Sequence, residues 1–559
     1  MLPIAAYWIF LFCLFLPGGV LLKKILGITT HNTVLTLLMG IVFYTFGFTL
    51  TAFFFSLGAL SLGFWAGVAL VSGVVLRREF VHDIKSLSNA VIALPSYFKI
   101  LLALLTVALL LKSAQSPFIT DNEGYYIQTI KWLNEYGFVK GLGNLHMLFA
   151  QNSLWHVLQA GTNFSFLTGR INDINGFLFL ICALYFLTEG HRQSTGKQLH
   201  WLLFMPVFFI LLIQFADAPS PDLPLYLMLP ILLNVWLRDI SDNGFKTAFV
   251  LFIYLGLIKM TCLPLGLIFV TGFAKRKKLA FMLAYGLPVV ALWIVKNSII
   301  SGYPLFPLPF FKTGADWAMN GDVYDFVMRV TKDNGYVRKG FLPADTAFFT
   351  KLTYWITQGG LYTLMNAGTV ILLVATPFTA FIRRQKPYRL IYMALLVNFI
   401  LILVTSPQFR YFMHITVLCG LLCAADFYNR LRPRISFYKA ISLGSTLAMF
   451  VVFFNLDLGF AKSKMNKSTG QTRLSQLYLP EPKSKYPAMR YKKARTGNLN
   501  YYSPVKAAYL YGSHDGPLPC VNERMIEQFR NKYGVVPQLR GSTISDGFYS
   551  KKINKTPAP

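Results

Sequence analysis

The sequence predicts an all-α polytopic membrane protein of about 12 to 14 transmembrane helices, with helices in the outer interface and a small extracytoplasmic α+β domain at its C-terminal end. Three observations predict it. The chain is 55% hydrophobic and only 14% charged, with a mean hydropathy of +0.49, which leaves too little polar surface for a soluble protein of 559 residues. Apolar runs near spanning length recur as far as residue 456. The basic residues, which give a formal net charge of +30, sit mainly in short clusters between those runs. Such spacing is what orients a chain in a bilayer, and it sets nucleic-acid binding aside.

The runs lie near residues 4 to 22, 33 to 55, 57 to 76, 98 to 113, 174 to 188, 201 to 216, 223 to 238, 279 to 298, 363 to 382, 389 to 405, 411 to 427 and 440 to 456. A further region, 247 to 273, is interrupted by Lys259 and Pro264 and reads as two short helices that cross as a pair or form a re-entrant hairpin. The first run has no basic n-region and no A-x-A-like cleavage site, so it is expected to be a retained span. The six cysteines fall almost entirely inside apolar runs and form neither a CxxC pair nor a disulfide framework.

One topology places every basic cluster in the cytoplasm: Lys23 and Lys24; Arg77, Arg78 and Lys85; His191, Arg192 and Lys197; Lys275 to Lys278; Arg383, Arg384, Lys386 and Arg389; and Arg430, Arg432 and Arg434. It puts both termini outside, together with loops 114–156 and 299–350. The transmembrane bundle then covers residues 1–456, and an extracytoplasmic domain covers 457–559. That domain carries 18 Lys and Arg against 5 Asp and Glu from Lys462 to Lys555, a departure that long translocated segments tolerate. Its Pro and Gly punctuation and few apolar residues predict a small core that docks on the outer face of the bundle.

The loop from Pro117 to His156 is the most informative polar stretch. Tyr126, Ile127, Ile130 and Leu133 recur at helical spacing, Trp132 suits headgroup depth, and Gly137 suits the helix end, so residues 120 to 136 read as an interfacial helix. Thr120-x-x-Glu123 fits a capping box and Asp121 fits the first turn, which is the structural reading of both acids. Asn144, His146, Asn152, Trp155 and His156 follow as amide, imidazole and indole groups that suit a polar ligand.

More charge gathers on the same expected face. Asp217 and Asp222 lie in ADAPSPDLP, Arg410 in SPQFRYF, Lys259 in the interrupted region, and Lys296 and Asn297 before the second outer loop. Asp222 also fits a helix N-cap and Arg410 an interfacial anchor, whereas Lys259, an ionisable group within an apolar segment, calls for a partner or a cavity. This combination suits group transfer from a membrane-embedded phosphate carrier. A carboxylate takes the proton of an acceptor hydroxyl, cations hold the phosphate leaving group, and aromatic surfaces face a sugar ring.

The acidic pair followed by Gly-Leu-Gly-Asn, then APSPDLPLYLMLPILLN, YLGLIKMTCLPLGLIF and WIVKNSIISGYPLFPL, resembles the GT-C superfamily of integral-membrane glycosyltransferases, in its polyprenyl-phosphate-sugar-dependent members. The strings GLGNLH, APSPD and LRGSTISDGF also resemble an uncharacterised bacterial family of multi-spanning proteins. The first resemblance implies a GT-C-like bundle with Asp121 as catalytic-loop acid, and with Lys259 and Asn297 as mid-chain counterparts. Four spans rather than one precede the acidic loop, a departure from the usual GT-C plan.

The expectation that follows is a multi-pass glycosyltransferase of the bacterial inner membrane. It would move a sugar from a polyprenyl-phosphate carrier to a cell-envelope glycan or lipid acceptor on the outer face. Asp121 or Glu123 is the expected base, and Lys259, Arg410, Asp222, Asn144, His146, Trp155 and Asn297 are the expected substrate-binding groups. The implied partners are the lipid-linked donor, membrane lipid and the glycan acceptor. No motif compels a cofactor, and a divalent metal at the acids is compatible with the pattern. The rival readings are a glycan polymerase or ligase with a polyprenyl-diphosphate donor, a lipid-linked glycan flippase, and a receptor or assembly scaffold. Topology is directly testable: a reporter at Lys277 is expected to read cytoplasmic and reporters near Asn144 and at the C-terminus external, and an external Lys277 would overturn the arrangement.

Overall fold

The computed structural model describes residues 1–171, 174–195, 198–239, 241–337, 341–343, 345–454, 473–507 and 509–553. Lys197, the boundary expected at 456 and the NKTPAP ending lie outside the described residues. Helix dominates. Among the described residues nine helices are long and apolar enough to cross a membrane: Leu2–Leu26, Thr33–Ala52, Ser96–Ser113, Ile174–Gln193, Arg276–Ser301, Gly360–Arg384, Lys386–Thr405, Phe409–Leu431 and Ile435–Phe453. A tenth results if Ala59–Val75 and Arg77–Ile92, bent by 90°, are counted as one. Other apolar runs form shorter or broken elements. Asp222–Arg238 and Asp242–Ile258 have 17 residues each, and the run from 201 is divided between 3-10 turns and the helix Met205–Leu212.

The region around Lys259 is broken, with a physical cause. Lys259 is extended at φ −149° and ψ 107°, between the helix Asp242–Ile258 and the 3-10 stretch Met260–Phe269. Pro264 has no N–H to donate back along a helix, so a regular α-helix through this stretch would lose a bond.

Basic clusters from distant parts of the chain meet at one end of the bundle. Lys23 pairs with Asp83 at 3.2 Å, and Asn32, Arg192 and Arg238 all reach Glu189. Lys246 donates to the Leu26 carbonyl, the Leu199 N–H donates to Asn429, and Arg430 donates to the Phe378 carbonyl. The Asp222–Arg238 helix connects this end to the other, and its length of about 24 Å at 1.5 Å per residue separates Asp222 from the arginines.

At the Asp222 end the loop 114–156 and the C-terminal segment form a second layer. Asn122–Tyr126 is one wide π-turn that runs into the helix Ile127–Tyr136, which Gly137 ends. Trp132 is fully buried and meets Phe548 edge-on with centroids 5.7 Å apart, so it sits under the C-terminal segment rather than at headgroup depth. That segment contains two antiparallel hairpins, Tyr491–Thr496 with Leu499–Pro504 and Val535–Leu539 with Phe548–Lys552, and the helix Glu523–Tyr533. Their apolar faces join Trp132, Leu142, Leu145, Met147 and Phe149 of the loop in one cluster.

Glu123 is the polar pin of this docking. Its carboxylate accepts from the Ser484 hydroxyl and the Lys485 N–H, both at 2.8 Å, and faces His514 Nδ1 at 3.0 Å, while its carbonyl accepts from the His514 N–H. Both carboxylate oxygens of Glu123, expected from the sequence in a Thr120-x-x-Glu123 capping box, are engaged by the C-terminal segment. Lys131 pairs with Asp515 at 2.7 Å, and Gln128 donates to the His514 and Gly516 carbonyls.

His146 is a further contact in the same seam. Its Nε2–H donates to the Tyr511 carbonyl at 3.1 Å, and Nδ1 accepts from the Leu148 N–H at 3.2 Å. Burial holds its imidazole down to about 4 from an ordinary 6.5. A released His146 takes up a proton between those values and a docked one does not, so docking is fully stable above about pH 6.5 and weakens as pH falls towards 4. Hydrogen exchange across residues 509–516 is expected to accelerate over that window. His146→Gln is expected to flatten the dependence, and the same pH profile in both proteins would remove His146 as its source.

Candidate functional site

Four charged side chains from four separate stretches form a chain of alternating sign. Asp121, at the entry to the π-turn, pairs with Arg410 at the start of the Phe409–Leu431 helix. The Arg410 Nη1 is also 4.0 Å from Asp222 Oδ2, and Asp222 pairs in turn with Lys259. Helix geometry alone does not put Asp222 here: it is the first residue of its helix, behind Pro221, and its side chain caps nothing. The break at Lys259 turns that residue out of its helix and towards Asp222. Here irregular backbone is used to bring a cation to a buried acid.

The surroundings hold the four groups in place. Tyr226 donates to the Arg410 carbonyl, and Arg410 Nε donates to Gln408 at 3.0 Å. Tyr411 turns its ring under both cations, with Lys259 Nζ 4.2 Å and the Arg410 guanidinium 5.2 Å from its centroid. Exposure decides which part a ligand can reach. The Asp222 side chain is 2% exposed, whereas those of Asp121 and Arg410 are 27% and 26% exposed. A ligand therefore meets the Asp121–Arg410 pair first.

Behind Asp121 lies an aromatic wall. Tyr125 and Tyr126 are buried in edge-to-face contact, and His156 lies 4.7 Å from Tyr126. Burial pushes both phenols up, so they face the ion pair as neutral hydroxyls. Burial, and then the Lys296 ammonium, hold His156 down to about 3. Neither His156 ring nitrogen has a hydrogen bond of normal geometry, although one approaches the Pro219 carbonyl. Lys296, 1% exposed, donates to the Asn152 carbonyl.

Of the residues expected to form the site, Asp121, Asp222, Lys259 and Arg410 come together, and the others have different surroundings. Glu123 is committed to the C-terminal segment. Asn144 donates to the Trp317 carbonyl at 2.7 Å and accepts from Ser550 at 2.6 Å, linking the loops 114–156 and 299–350 to the last strand. His146 belongs to the docking seam described above. Trp155 is buried and donates to Asn175 at 2.6 Å, and Asn297 donates to the Pro304 carbonyl at 3.2 Å. Asp217, also noted in the sequence, pairs with Lys112 and accepts from the Phe118 N–H. The sequence pattern places Tyr126 only on a helix face and assigns Tyr125, Tyr226 and Tyr411 no part in the site. Only the adjacency of Tyr411 to Arg410 could have signalled one of them.

Among the described residues no group of three or more His, Cys, Asp or Glu side chains is placed to hold a metal ion. The two acids of the chain already face Arg410 and Lys259.

The chain belongs to the family described as Domain of unknown function (DUF8201), whose model matches residues 1–417. All four members of the charge chain fall within that match. No curated protein matches the chain, and neither does any solved structure.

The ion pairing makes a specific prediction about Lys259. Lys259→Met leaves Asp222 as a buried carboxylate with Arg410 only at 4.0 Å, and breaking a buried pair from one side costs about 3 to 5 kcal/mol. Thermal denaturation in detergent is expected to show that loss for Lys259→Met and to recover most of it in Asp222→Asn/Lys259→Met. Equal stability of the single variant and the parent would show that the pair does not hold the fold.

Proposed function

We propose that this family member is a membrane glycosyltransferase. It moves a sugar from a polyprenyl-phosphate carrier to a cell-envelope glycan or lipid acceptor at the Asp121 end of the bundle. One observation carries the reading: a partly exposed carboxylate, Asp121, is held by a cation, Arg410, that is itself backed by a second acid and a second cation. Such a pair is poised for exchange. A donor phosphodiester can replace the carboxylate, because its two non-bridging oxygens can take the guanidinium bidentately where Asp121 engages it through a single oxygen. When the phosphate takes Arg410, with Lys259 near enough to share its charge, Asp121 is released as a free base.

The transfer step then balances. The acceptor hydroxyl oxygen attacks the anomeric carbon, the bond from that carbon to the phosphate oxygen breaks, and the electron pair leaves with the phosphate. The acceptor proton passes to Asp121. Arg410 and Lys259 take up the negative charge that grows on the leaving group, and Asp222 keeps both cations in position. The aromatic surfaces of Tyr125, Tyr126 and Tyr411 suit a sugar ring. In this reading the bundle is a GT-C-like array of 12 to 14 crossings in a bacterial inner membrane, both termini and the site face outward, and the shorter Asp222–Arg238 and Asp242–Ile258 helices count among the crossings.

Asp121→Asn is expected to cut transfer by about a hundredfold or more, the ordinary worth of a general base, while the protein still accumulates in the membrane. Glu123→Gln is expected to loosen the C-terminal segment and reduce transfer less. The measurement is the lipid-linked species that accumulates in cells carrying each variant. A complete glycan lacking one sugar supports a transferase, an unpolymerised repeat unit replaces it with a polymerase, and an intact intermediate facing the cytoplasm replaces it with a flippase.

A further inference from the structure

A cavity of about 880 Å³ lies at the end of the bundle opposite the charge chain, among the basic clusters. Its walls are the 29–35 turn, the ends of the Ile174–Gln193 and Asp222–Arg238 helices, and the helix Arg77–Ile92. Two arginines supply its chemistry. Arg192, through Nε and Nη2, and Arg238, through Nη1, share one oxygen of Glu189. Glu189 is also held by Asn32 and Gln193. The Glu189 side chain is 8% exposed, but those of Arg192 and Arg238 are 54% and 46% exposed. Each guanidinium carries five N–H donors. The shared acid therefore orients both and leaves most of their donors free; a second acid, Asp239, also lines the cavity, but it is exposed and accepts from the Ser241 N–H rather than from either arginine.

The wall formed by Arg77–Ile92 indicates what can enter. This helix turns by 90° from the one before it, and it exposes Val81, Ile84 and Ile92 together with Arg77, Arg78 and Lys85. Apolar and basic groups on one exposed helix mark a helix lying in the headgroup layer. It is fixed there from inside, because Asp83 is buried against Lys23 and Thr36, and Ser86 donates to the His31 carbonyl. The cavity mouth thus sits at headgroup height.

We propose that this cavity is a binding site for a phosphate group, delivered as the headgroup of a membrane lipid, with Arg192 and Arg238 as its paired ligands. Two guanidiniums oriented by one acid fit the oxygens of a single phosphate. The cavity is far larger than inorganic phosphate needs, and its mouth beside the surface helix gives a lipid tail its way out. The site is independent of the transfer chemistry at the other end of the bundle.

The experiment is native mass spectrometry of the full-length protein in detergent, titrated with phosphatidic acid and, as a control, phosphatidylcholine. One phosphatidic acid is expected to be retained in preference to phosphatidylcholine. Arg192→Gln/Arg238→Gln is expected to weaken it by about tenfold or more, the worth of a charge-assisted hydrogen bond. Arg77→Gln/Arg78→Gln, which removes the same charge from the exposed helix, is expected to leave it unchanged. Because the first variant leaves Glu189 unpaired, the triple variant with Glu189→Gln provides a neutral folded comparison. Equal retention in the arginine and parent proteins, or no preference over phosphatidylcholine, would overturn the site. Displacement of the lipid by millimolar inorganic phosphate would overturn the lipid source.

Discussion

Asp222 is the constraint around which one end of the bundle is arranged. A carboxylate that is almost completely buried is stable only if cations reach it, and an unpaired one costs several kcal/mol. Lys259 comes from a broken segment and Arg410 from the start of another helix, so satisfying one acid draws three elements together. The broken backbone at Lys259 follows from the same demand. A continuous helix would leave that ammonium on a cylinder surface, whereas an extended residue directs it at the acid.

This arrangement explains which features were legible in the sequence. Length and apolarity revealed the long helices, and Lys259 with Pro264 revealed the interruption, because each is a local property of the chain. Asp222 also satisfies the local pattern of an N-cap, and nothing within its own helix discloses a lysine 37 positions further on. Glu123 is the sharper case. Its spacing from Thr120 matches a capping box, yet its partners Ser484 and Lys485 lie 361 and 362 residues away. Asn144, His146, Trp155 and Asn297 carry the right atoms for sugar binding, but their hydrogen bonds are spent on backbone carbonyls, on Asn175 and on Ser550.

Two of the three distinctive strings prove to be neighbours in space. Gly141, in GLGNLH, has φ +64°, and a Cβ there would fall on the Phe548 carbonyl; Gly547, in LRGSTISDGF, has φ +93°, and a Cβ there would fall on the Lys140 carbonyl. The Phe548 N–H donates to that same Lys140 carbonyl at 2.9 Å. Two backbones in such close contact leave no room for side chains, and a positive φ is strained for any other residue. Gly141 and Gly547 are thus explained by packing and require no part in binding.

The long sequence separation at Glu123 has a consequence for how the protein is made. The loop that carries Asp121 leaves the ribosome more than 360 residues before Ser484, Lys485 and His514, the groups that fasten it. Throughout synthesis of the intervening helices that loop lacks its cover and its polar pin. This second layer is therefore finished last, by the final fifth of the chain, and a ribosome that stops short of residue 484 leaves a bundle whose Asp121 loop has nothing to close on.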